Sequence, residues 1–151
     1  MFKNNLFILV LIIILSSCLI YCSKSTLSPE EAKSIIQKFY ADNDVPESMV
    51  DRYLVDAGKP IVPYLVIEIE NKKMPKRGYA IVALGKIKDS RALPVLEKIM
   101  NDKTEKIITK CDALRAIWHI DSKLGEEHAK KYGGDKGYID RTIELLKQGA
   151  I

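Results

Sequence analysis

Cysteine is scarce in this chain, and its spacing excludes two common kinds of small domain. The 151 residues contain three cysteines, Cys18, Cys22 and Cys111. An odd number of cysteines without a C-x-x-C pair argues against a disulfide framework and against a structural zinc site. Cys111 falls on the apolar side of a predicted helix, which is typical of a small core residue rather than of a reactive thiol.

Histidine is scarcer still, and the usual catalytic motifs are missing. The two histidines, His119 and His128, lie outside any H-E-x-x-H motif, and no acidic residue stands at a convincing metal-ligand spacing from either. The glycine-rich stretch 133–137 lacks the preceding strand and the G-K-S/T ending of a phosphate-binding loop. No serine lies in a G-x-S-x-G context. The sequence therefore predicts no catalytic residue, no metal site and no cofactor, and it favours a protein that is not an enzyme.

An excess of one charge is also missing. The formal net charge is +4, and acidic and basic residues are interleaved along most of the chain, which is typical of a solvated surface. The densest positive stretch holds Lys72, Lys73, Lys76 and Arg77. Two interpretations stay open for it: a solvated loop, or a contact with anionic head groups, envelope polymers or an acidic partner. The single tryptophan, Trp118, is either a core residue or a hot spot of a partner interface.

The only long apolar run stands near the N-terminus. Residues Leu6–Leu15 are all apolar and follow a positive charge at Lys3. This run has the length of a signal-peptide core and is too short to span a bilayer, which needs about 20 residues. The following Leu15-Ser16-Ser17-Cys18 resembles a bacterial lipobox, in which small residues precede a cysteine that accepts a lipid and becomes the mature N-terminus.

The lipobox resemblance implies a location and a domain division. Residues 1–17 are then a lipoprotein signal peptide, 18–27 the lipidated N-terminus and a polar tether, and 28–151 the helical domain. The protein is expected to be exported and anchored in the bacterial cell envelope, attached to a membrane through lipid on Cys18, with nucleic acid not expected as a partner. Because a single acyl chain binds only marginally, firm attachment needs more than one. Two alternatives stay open, an uncleaved anchor lengthened by residues 19–21 and ordinary secretion.

The folded part begins with a strong helix signal. Ser28 and Glu31 form a capping box with a proline between them at the first helical position, which predicts a helix to about Ala41. A second helix is predicted from a cap at Asp44 to a stop at Gly58.

The stretch Pro60–Glu70 is ambiguous when it is read alone. Its alternating Val-Ile-Glu-Ile-Glu and its β-branched residues favour a strand. However, Pro63-Tyr64-Leu65 and Pro94-Val95-Leu96 stand 31 residues apart (63 to 94). Internal similarity at a period of about 20–50 residues marks repeat architectures and outranks local propensity. We therefore predict a helix here.

The stretch Arg77–Met100 predicts a hairpin of two short helices. Apolar residues at helical spacing mark both halves. The predicted break between them is the segment 85–89, with Gly85 as the residue that loosens the helix, and Asp89 or Ser90 is the predicted cap of the second helix. Neither helix is long enough to be stable alone in water, so each must bury its apolar face on a neighbour.

The first helix of this hairpin returns 33 residues later (77 to 110). Arg77–Leu84 and Lys110–Ile117 both carry alanine at the fourth and seventh positions and an aliphatic residue at the fifth and eighth. Small residues at this spacing let helix axes approach closely, as stacked helix pairs require. The remaining predicted helices are Glu105–Ile120, capped by Thr104, then Glu126–Tyr132 and a closing helix from Tyr138.

The segment Ala83-Leu84-Gly85-Lys86-Ile87-Lys88-Asp89, followed by Ala92-Leu93-Pro94-Val95-Leu96, resembles HEAT-like repeats of the phycobilin-lyase type. The resemblance implies an all-α fold, a short α-solenoid or α–α superhelix of about three HEAT-like helix pairs. Such repeats most often serve as binding scaffolds. The expected function is therefore a membrane-tethered, non-catalytic adaptor that holds an unknown protein partner in the envelope. Two alternatives are a binder of anionic envelope polymers or head groups, and a lyase or chaperone-like activity implied by the family.

Overall fold

A computed structural model describes residues 26–134 and 136–151. Over these ranges the secondary structure is entirely helical, which confirms the predicted all-α class. No helix within them is both long and apolar enough to cross a membrane. The predictions for the signal peptide and for lipid attachment at Cys18 concern residues outside the described ranges. The α-helices are α1 (Pro29–Ala41), α2 (Arg52–Ala57), α3 (Val62–Glu68), α4 (Arg77–Ile87), α5 (Leu93–Asn101), α6 (Ile107–Ile120), α7 (Ser122–Tyr132) and α8 (Tyr138–Lys147).

The start of α1 is fixed by the predicted capping box. The Ser28 hydroxyl oxygen accepts from the Glu31 N–H at 3.3 Å, and the Glu31 carboxylate accepts from the Ser28 N–H at 2.9 Å. These bonds satisfy backbone groups that a helix start otherwise leaves without partners. The helix buries Ala32, Ile36 and Phe39 on one side.

The second predicted helix is shorter than the sequence suggests. Gly58 ends α2 with a φ of +64°, so the predicted stop is confirmed. The predicted start is wrong, because Asp51 rather than Asp44 occupies the N-cap position. Pro46 has an extended ψ of 145°, and a 3-10 turn over Glu47–Met49 follows it before α2 begins.

The stretch Pro60–Glu70 is helical, which confirms the prediction based on the repeat and rejects the strand. A 3-10 turn over Lys59–Ile61 leads into α3, and another over Ser90–Ala92 leads into α5, at the same period of 31 (59 to 90). Pro63 and Pro94 each lie in the first turn of their helix, where a missing N–H leaves no bond unmade. Tertiary burial therefore outweighs the β propensity of this stretch.

As predicted, α4 and α5 follow each other across a short turn, where Asp89 accepts from the Arg91 N–H at 3.0 Å, and both helices pack against α6. The chain does leave the helix within the predicted segment 85–89, but the role predicted for Gly85 in this break is wrong. The helix continues past this glycine and ends at Lys88, whose φ is +56°. Gly85 instead faces α6, where an added Cβ would lie 2.8 Å from Ala116 Cα. Glycine is needed here for the close approach of two backbones, not for a turn.

The longest of the described helices, α6, lies at the centre of the fold and packs against α4, α5, α7 and α8. Its predicted cap at Thr104 is wrong, because the Thr104 N–H and hydroxyl both donate to Asp102 and the helix begins only at Ile107. The following α7 begins earlier than predicted, because Asp121 caps it by accepting from the Leu124 N–H at 3.0 Å.

The apolar core runs through all the described helices as one cluster. Its centre is the contact between α4 and α6, the most extensive in the described chain. Small residues dominate there, as the repeat predicts: Ala80, Ala83, Ala113 and Ala116 are fully buried. Short side chains at these positions let the two helix axes lie close together. The superhelical stacking of the pairs stays a prediction.

Candidate functional site

A concavity with a volume of about 930 Å³, called the central groove here, lies on the surface of the described chain. It crosses the segment that leads into α2, the exposed edge of α4, and α6. In the predicted repeat, α4 and α6 are the first helices of two successive pairs, and the groove crosses both of them. The lining residues of the groove are Glu47, Ser48, Asp51, Lys76, Arg77, Gly78, Tyr79, Val82, Lys86, Ile108, Asp112 and Arg115.

Gly78 makes room for an acidic side chain inside the groove. A Cβ at this position would lie 2.8 Å from Asp112 Oδ2. The missing side chain therefore lets the Asp112 carboxyl lie against the first turn of α4. Ile108, Asp112 and Arg115 stand four and three residues apart on α6, so they share one face of the helix.

Most polar groups on the α4 side of the groove are satisfied by one another. The Lys86 ammonium lies 2.8 Å from the Asp51 carboxylate, whose side chain is 6% exposed. The Tyr79 hydroxyl donates to the Glu47 carboxylate at 3.0 Å. These contacts connect the segment before α2 to the outer face of α4 and hold one wall of the groove in place.

Arg115 differs from these residues because its guanidinium has no hydrogen-bond or ion-pair partner within the described residues. Its side chain is half-buried, and its Nε is buried without an acceptor. A buried donor without a partner costs about 1–3 kcal/mol relative to a satisfied one. The groove therefore holds a cation that can bind a ligand without breaking an internal contact.

Asp112 is the second unusual ionisable group of the groove. Burial disfavours its charged form and raises the pKa of the carboxyl from 3.8 to about 6, with a smaller opposing effect of the Arg115 charge. The two side chains stand one turn apart on α6. This acidic group can therefore change its protonation near neutral pH when the charge around it changes.

The predicted basic stretch is largely engaged in internal contacts. Arg77 forms a buried ion pair with Glu105 at 2.8 Å, and its Nε donates at 2.6 Å to a carbonyl oxygen just after α3. The Lys72 ammonium lies 2.6 Å from the Asp102 carboxylate and also donates to the Thr104 hydroxyl. Lys73 alone among the four cations is exposed with no side-chain partner in the described part of the chain.

Lys76 has a structural role at the end of α1. Its ammonium donates to the carbonyl oxygens of Phe39 at 3.0 Å and Asp42 at 2.5 Å, and it lies 5.7 Å from the centre of the Phe39 ring. A cation at these carbonyls complements the negative end of the helix dipole. Because the lysine directly precedes α4, it connects the first helix to the middle of the fold.

Trp118 lies away from the central groove. It is half-buried and lines a second concavity of about 580 Å³ between α6, α7 and α8. Its backbone packs closely on α7, because a Cβ on Gly125 would lie 2.8 Å from Trp118 Cα. The structure therefore does not bring Trp118 together with the basic stretch.

The two histidines and Cys111 occupy separate environments. His128 is buried, lies 3.2 Å from a Glu97 carboxylate oxygen, and stacks on Tyr132. Burial lowers the pKa of His119, and the nearby positive charges act in the same direction. Cys111 packs against the apolar core. Within residues 26–134 and 136–151, no group of three or more His, Cys, Asp or Glu side chains is arranged to hold a metal ion.

Sequence reasoning does not single out Asp112 or Arg115 as site residues. Their spacing from Ile108 places all three on one helix face, but many solvated faces show the same pattern. A usable signal is the glycine at position 78, which matches Cys111 in the repeat (78 to 111) and stands opposite Asp112. Only the packing of α4 on α6 reveals that this glycine opens space for a carboxyl group.

Comparisons with protein-family models, with curated proteins and with solved structures found no match to this chain.

Proposed function

We propose that the protein is a membrane-tethered bacterial lipoprotein that acts as a non-catalytic scaffold, and that the central groove holds a segment of a protein partner. The observation that carries this proposal is the groove itself, which runs from the segment before α2 across α4 to α6 and contains a cation without a partner among the described residues. Surfaces that extend across stacked helical units are typical binding surfaces of repeat proteins.

The chemistry of the groove suits a protein segment. Tyr79, Val82 and Ile108 supply apolar surface, and Ile108 is 53% exposed. Charged side chains surround them, with Arg115 inside the groove and Lys86 at its edge. Protein interfaces combine an apolar centre rich in tyrosine and arginine with a polar rim. An extended segment that lies along α4 and α6 therefore finds both apolar and polar contacts.

The alternative function, a binder of anionic polymers or head groups through the basic stretch, has less support. Lys72, Lys76 and Arg77 already bind carboxylate or carbonyl oxygens of the chain itself. Using them for an external anion exchanges one set of contacts for another, so the net gain is small. Lys73 alone adds about 1 kcal/mol at an anionic membrane surface.

Site-specific photo-crosslinking in intact cells tests the scaffold function. A photoreactive amino acid at Val82 is expected to yield a discrete protein adduct, because this side chain lines the groove. The same amino acid at Lys123, an exposed position on α7, is the control and is expected to yield none. An equal adduct pattern at both positions, or none at Val82, contradicts the proposal.

Lipid attachment requires a separate test. Metabolic labelling with an alkyne analogue of palmitate is expected to mark the wild-type chain in the membrane fraction. The Cys18→Ala variant is expected to lose the label, and Cys22→Ala is expected to keep it. Label that persists in Cys18→Ala shows that the lipid is not attached at that cysteine.

A further inference from the structure

We infer that the central groove recognises a carboxylate of its partner, an aspartate or glutamate side chain in an extended segment, and that the guanidinium of Arg115 is the group that binds it. This inference rests on the proposed function, since it names the chemistry of the partner in the same groove.

In the described part of the chain, the other cations of the groove already bind oxygen atoms, and Arg115 does not. Arg77 and Lys86 each hold a carboxylate, and Lys76 holds two carbonyl oxygens at the end of α1. Arg115 has no such contact among the described residues. An incoming anion therefore meets one cation that gains an acceptor without losing another.

The Nε–H of the Arg115 guanidinium is a buried donor without an acceptor within the described ranges. A carboxylate can accept from Nε and from a terminal nitrogen at once, in two parallel hydrogen bonds. A single carbonyl oxygen satisfies only one of these donors. The planar donor edge thus favours a carboxylate over a neutral acceptor.

The surroundings strengthen such a contact. Val82 and Tyr79 on α4 and Ile108 on α6 line the same groove. A segment that covers these apolar side chains excludes water from the guanidinium. Ionic hydrogen bonds gain strength as the local dielectric constant falls, provided that each charge has its partner.

Asp112 makes the binding dependent on pH. A carboxylate held by Arg115 arrives one helical turn from the Asp112 carboxyl, and two like charges at this distance favour protonation of one of them. Binding is therefore coupled to proton uptake at Asp112. The affinity for an acidic segment is expected to be higher at pH 5.5 than at pH 8.

The other charged groups around Asp112 are held in place by contacts of their own. On α4, the cations Arg77 and Lys86 are each paired with a carboxylate. The acids of the groove, Glu47 and Asp51, are engaged by a tyrosine hydroxyl and by a lysine ammonium.

Tyr79 and His119 complete the surroundings. The hydrogen bond to Glu47 raises the pKa of the Tyr79 hydroxyl, so this group stays neutral at pH 8 and below. His119 stands one turn beyond Arg115 on α6, and burial lowers its pKa below the ordinary 6.5. Protonation of this histidine at acidic pH acts in the same direction as protonation of Asp112, so a variant of Asp112 is needed to tell the two apart.

A peptide library provides the test. Random decapeptides with both termini blocked are immobilised and exposed to the full chain in detergent micelles. Bound peptides are expected to be enriched in aspartate or glutamate, and replacing the acid by its amide is expected to weaken binding about tenfold or more. Selection of peptides without acid enrichment, or no selection at all, overturns the inference.

Variants assign the effect to the guanidinium. Arg115→Met is expected to abolish the preference for acidic peptides, and Arg115→Lys, which keeps the charge but not the donor edge, to reduce it partly. Lys106→Met, which removes an exposed cation just before α6, is the matched control and is expected to bind as the wild type does. An unchanged acid preference in an Arg115→Met chain that circular dichroism shows to be folded overturns the inference.

Asp112→Asn distinguishes two modes of binding. In one, Arg115 binds a carboxylate of the segment; in the other, the Asp112 carboxylate accepts from a main-chain N–H of the segment. For a carboxylate, this variant is expected to bind at least as tightly as the wild type at pH 8 and to lose most of the pH dependence. Weaker binding in Asp112→Asn, together with equal binding of acidic and amide peptides, overturns the inference. If the Val82 crosslink persists in that case, the scaffold function stands and only the carboxylate chemistry fails.

Discussion

On two sides of α6, a glycine of the neighbouring helix makes a close backbone contact, but the α6 residue that it meets differs greatly in size. Towards α4, the close contact is made by Gly85 against Ala116, so both partners are small. Towards α7, the residue at the matching repeat position (85 to 118) is Trp118, the largest side chain available, and Gly125 on the other helix makes room for it. The contact distance is the same at both places, since an added Cβ would lie 2.8 Å from the opposite Cα.

The two contacts therefore share a distance between backbones and not a residue type. The glycine lies on the earlier helix in the first contact and on the later helix in the second. The two contacts also differ in polarity. Beside α4, a buried Arg77–Glu105 ion pair joins the helix start to the segment before α6, whereas the α7 side carries the half-buried tryptophan and its open concavity. We expect the α4 side to be the more sensitive to substitution.

The largest expected effect comes from breaking the buried ion pair. Arg77→Met leaves the Glu105 charge without its main partner, and both side chains are at most 10% exposed. The loss is expected to be about 3 kcal/mol in the free energy of unfolding, measured by urea denaturation. The matched control is Lys98→Met, which removes the exposed ion pair with Glu70 and is expected to change the stability by less than about 1 kcal/mol. If both variants lose the same free energy of unfolding, the buried pair is no more important to stability than the exposed one, and the prediction is wrong.

The glycine on the α4 side is expected to have the next largest effect. Gly85→Val adds a branched side chain 2.8 Å from the Ala116 backbone, so the two helices must separate. Overpacking of this kind costs about 1–3 kcal/mol, and the urea midpoint reports it. Lys123→Val places the same branched residue at an exposed helix position and serves as the control. A melting temperature that is unchanged in Gly85→Val shows that the helices do not meet at this residue.

Substitution of Asp112 is expected to change the free energy of unfolding less, and to raise it rather than lower it. Its pKa is about 6 in the folded chain against an ordinary 3.8, so ionisation at higher pH destabilises the fold. Because the carboxyl is only partly buried, the effect after solvent screening is about 1 kcal/mol. Asp112→Asn is therefore expected to be more stable than the wild type at pH 8, with the difference disappearing as the pH falls from about 6 to 4. A difference that is constant across this range contradicts the assignment.

The smallest expected effect is on the α7 side. Gly125→Ala brings a Cβ within 3.0 Å of the Trp118 side chain and closer still to its backbone. The greater helix propensity of alanine, about 1 kcal/mol, offsets part of the strain, so the net loss is expected to be about 1 kcal/mol. Since the chain has one tryptophan, its fluorescence reports the shift directly. An emission spectrum and a stability that both match the wild type show that α7 adjusts without cost.

The secondary structure is predictable from the sequence mainly where its causes are local or periodic. Ser28 and Glu31 act on each other across one helical turn, so their pattern is visible in the sequence. The helix at Pro60–Glu70 is predictable because the proline pattern recurs at Pro94. In contrast, the loosening role predicted for Gly85 is wrong, because the local signal of glycine is the same in a turn and in a close helix contact.

The candidate site is less predictable because its properties come from residues that are far apart in sequence. Arg77 resembles a surface cation in the sequence, and only Glu105 and the Ile69 carbonyl, brought together by folding, bury it. The groove likewise depends on Gly78 standing opposite Asp112, which no single segment encodes. The binding scaffold stays a prediction from the sequence, while the position of the groove depends on the packing of α4 on α6.

The contact between Lys76 and the end of α1 has a mechanical consequence. In a protein tethered at its N-terminus, a pull on the tether acts first on α1, because this is the first of the described helices along the chain. The ammonium of Lys76 binds two carbonyl oxygens at the far end of that helix, and the Tyr64 hydroxyl binds the Leu27 carbonyl at the near end. If the proposed tether exists, a pull on it is shared between one contact on α3 and another just before α4, so α1 is held to the rest of the fold at both ends.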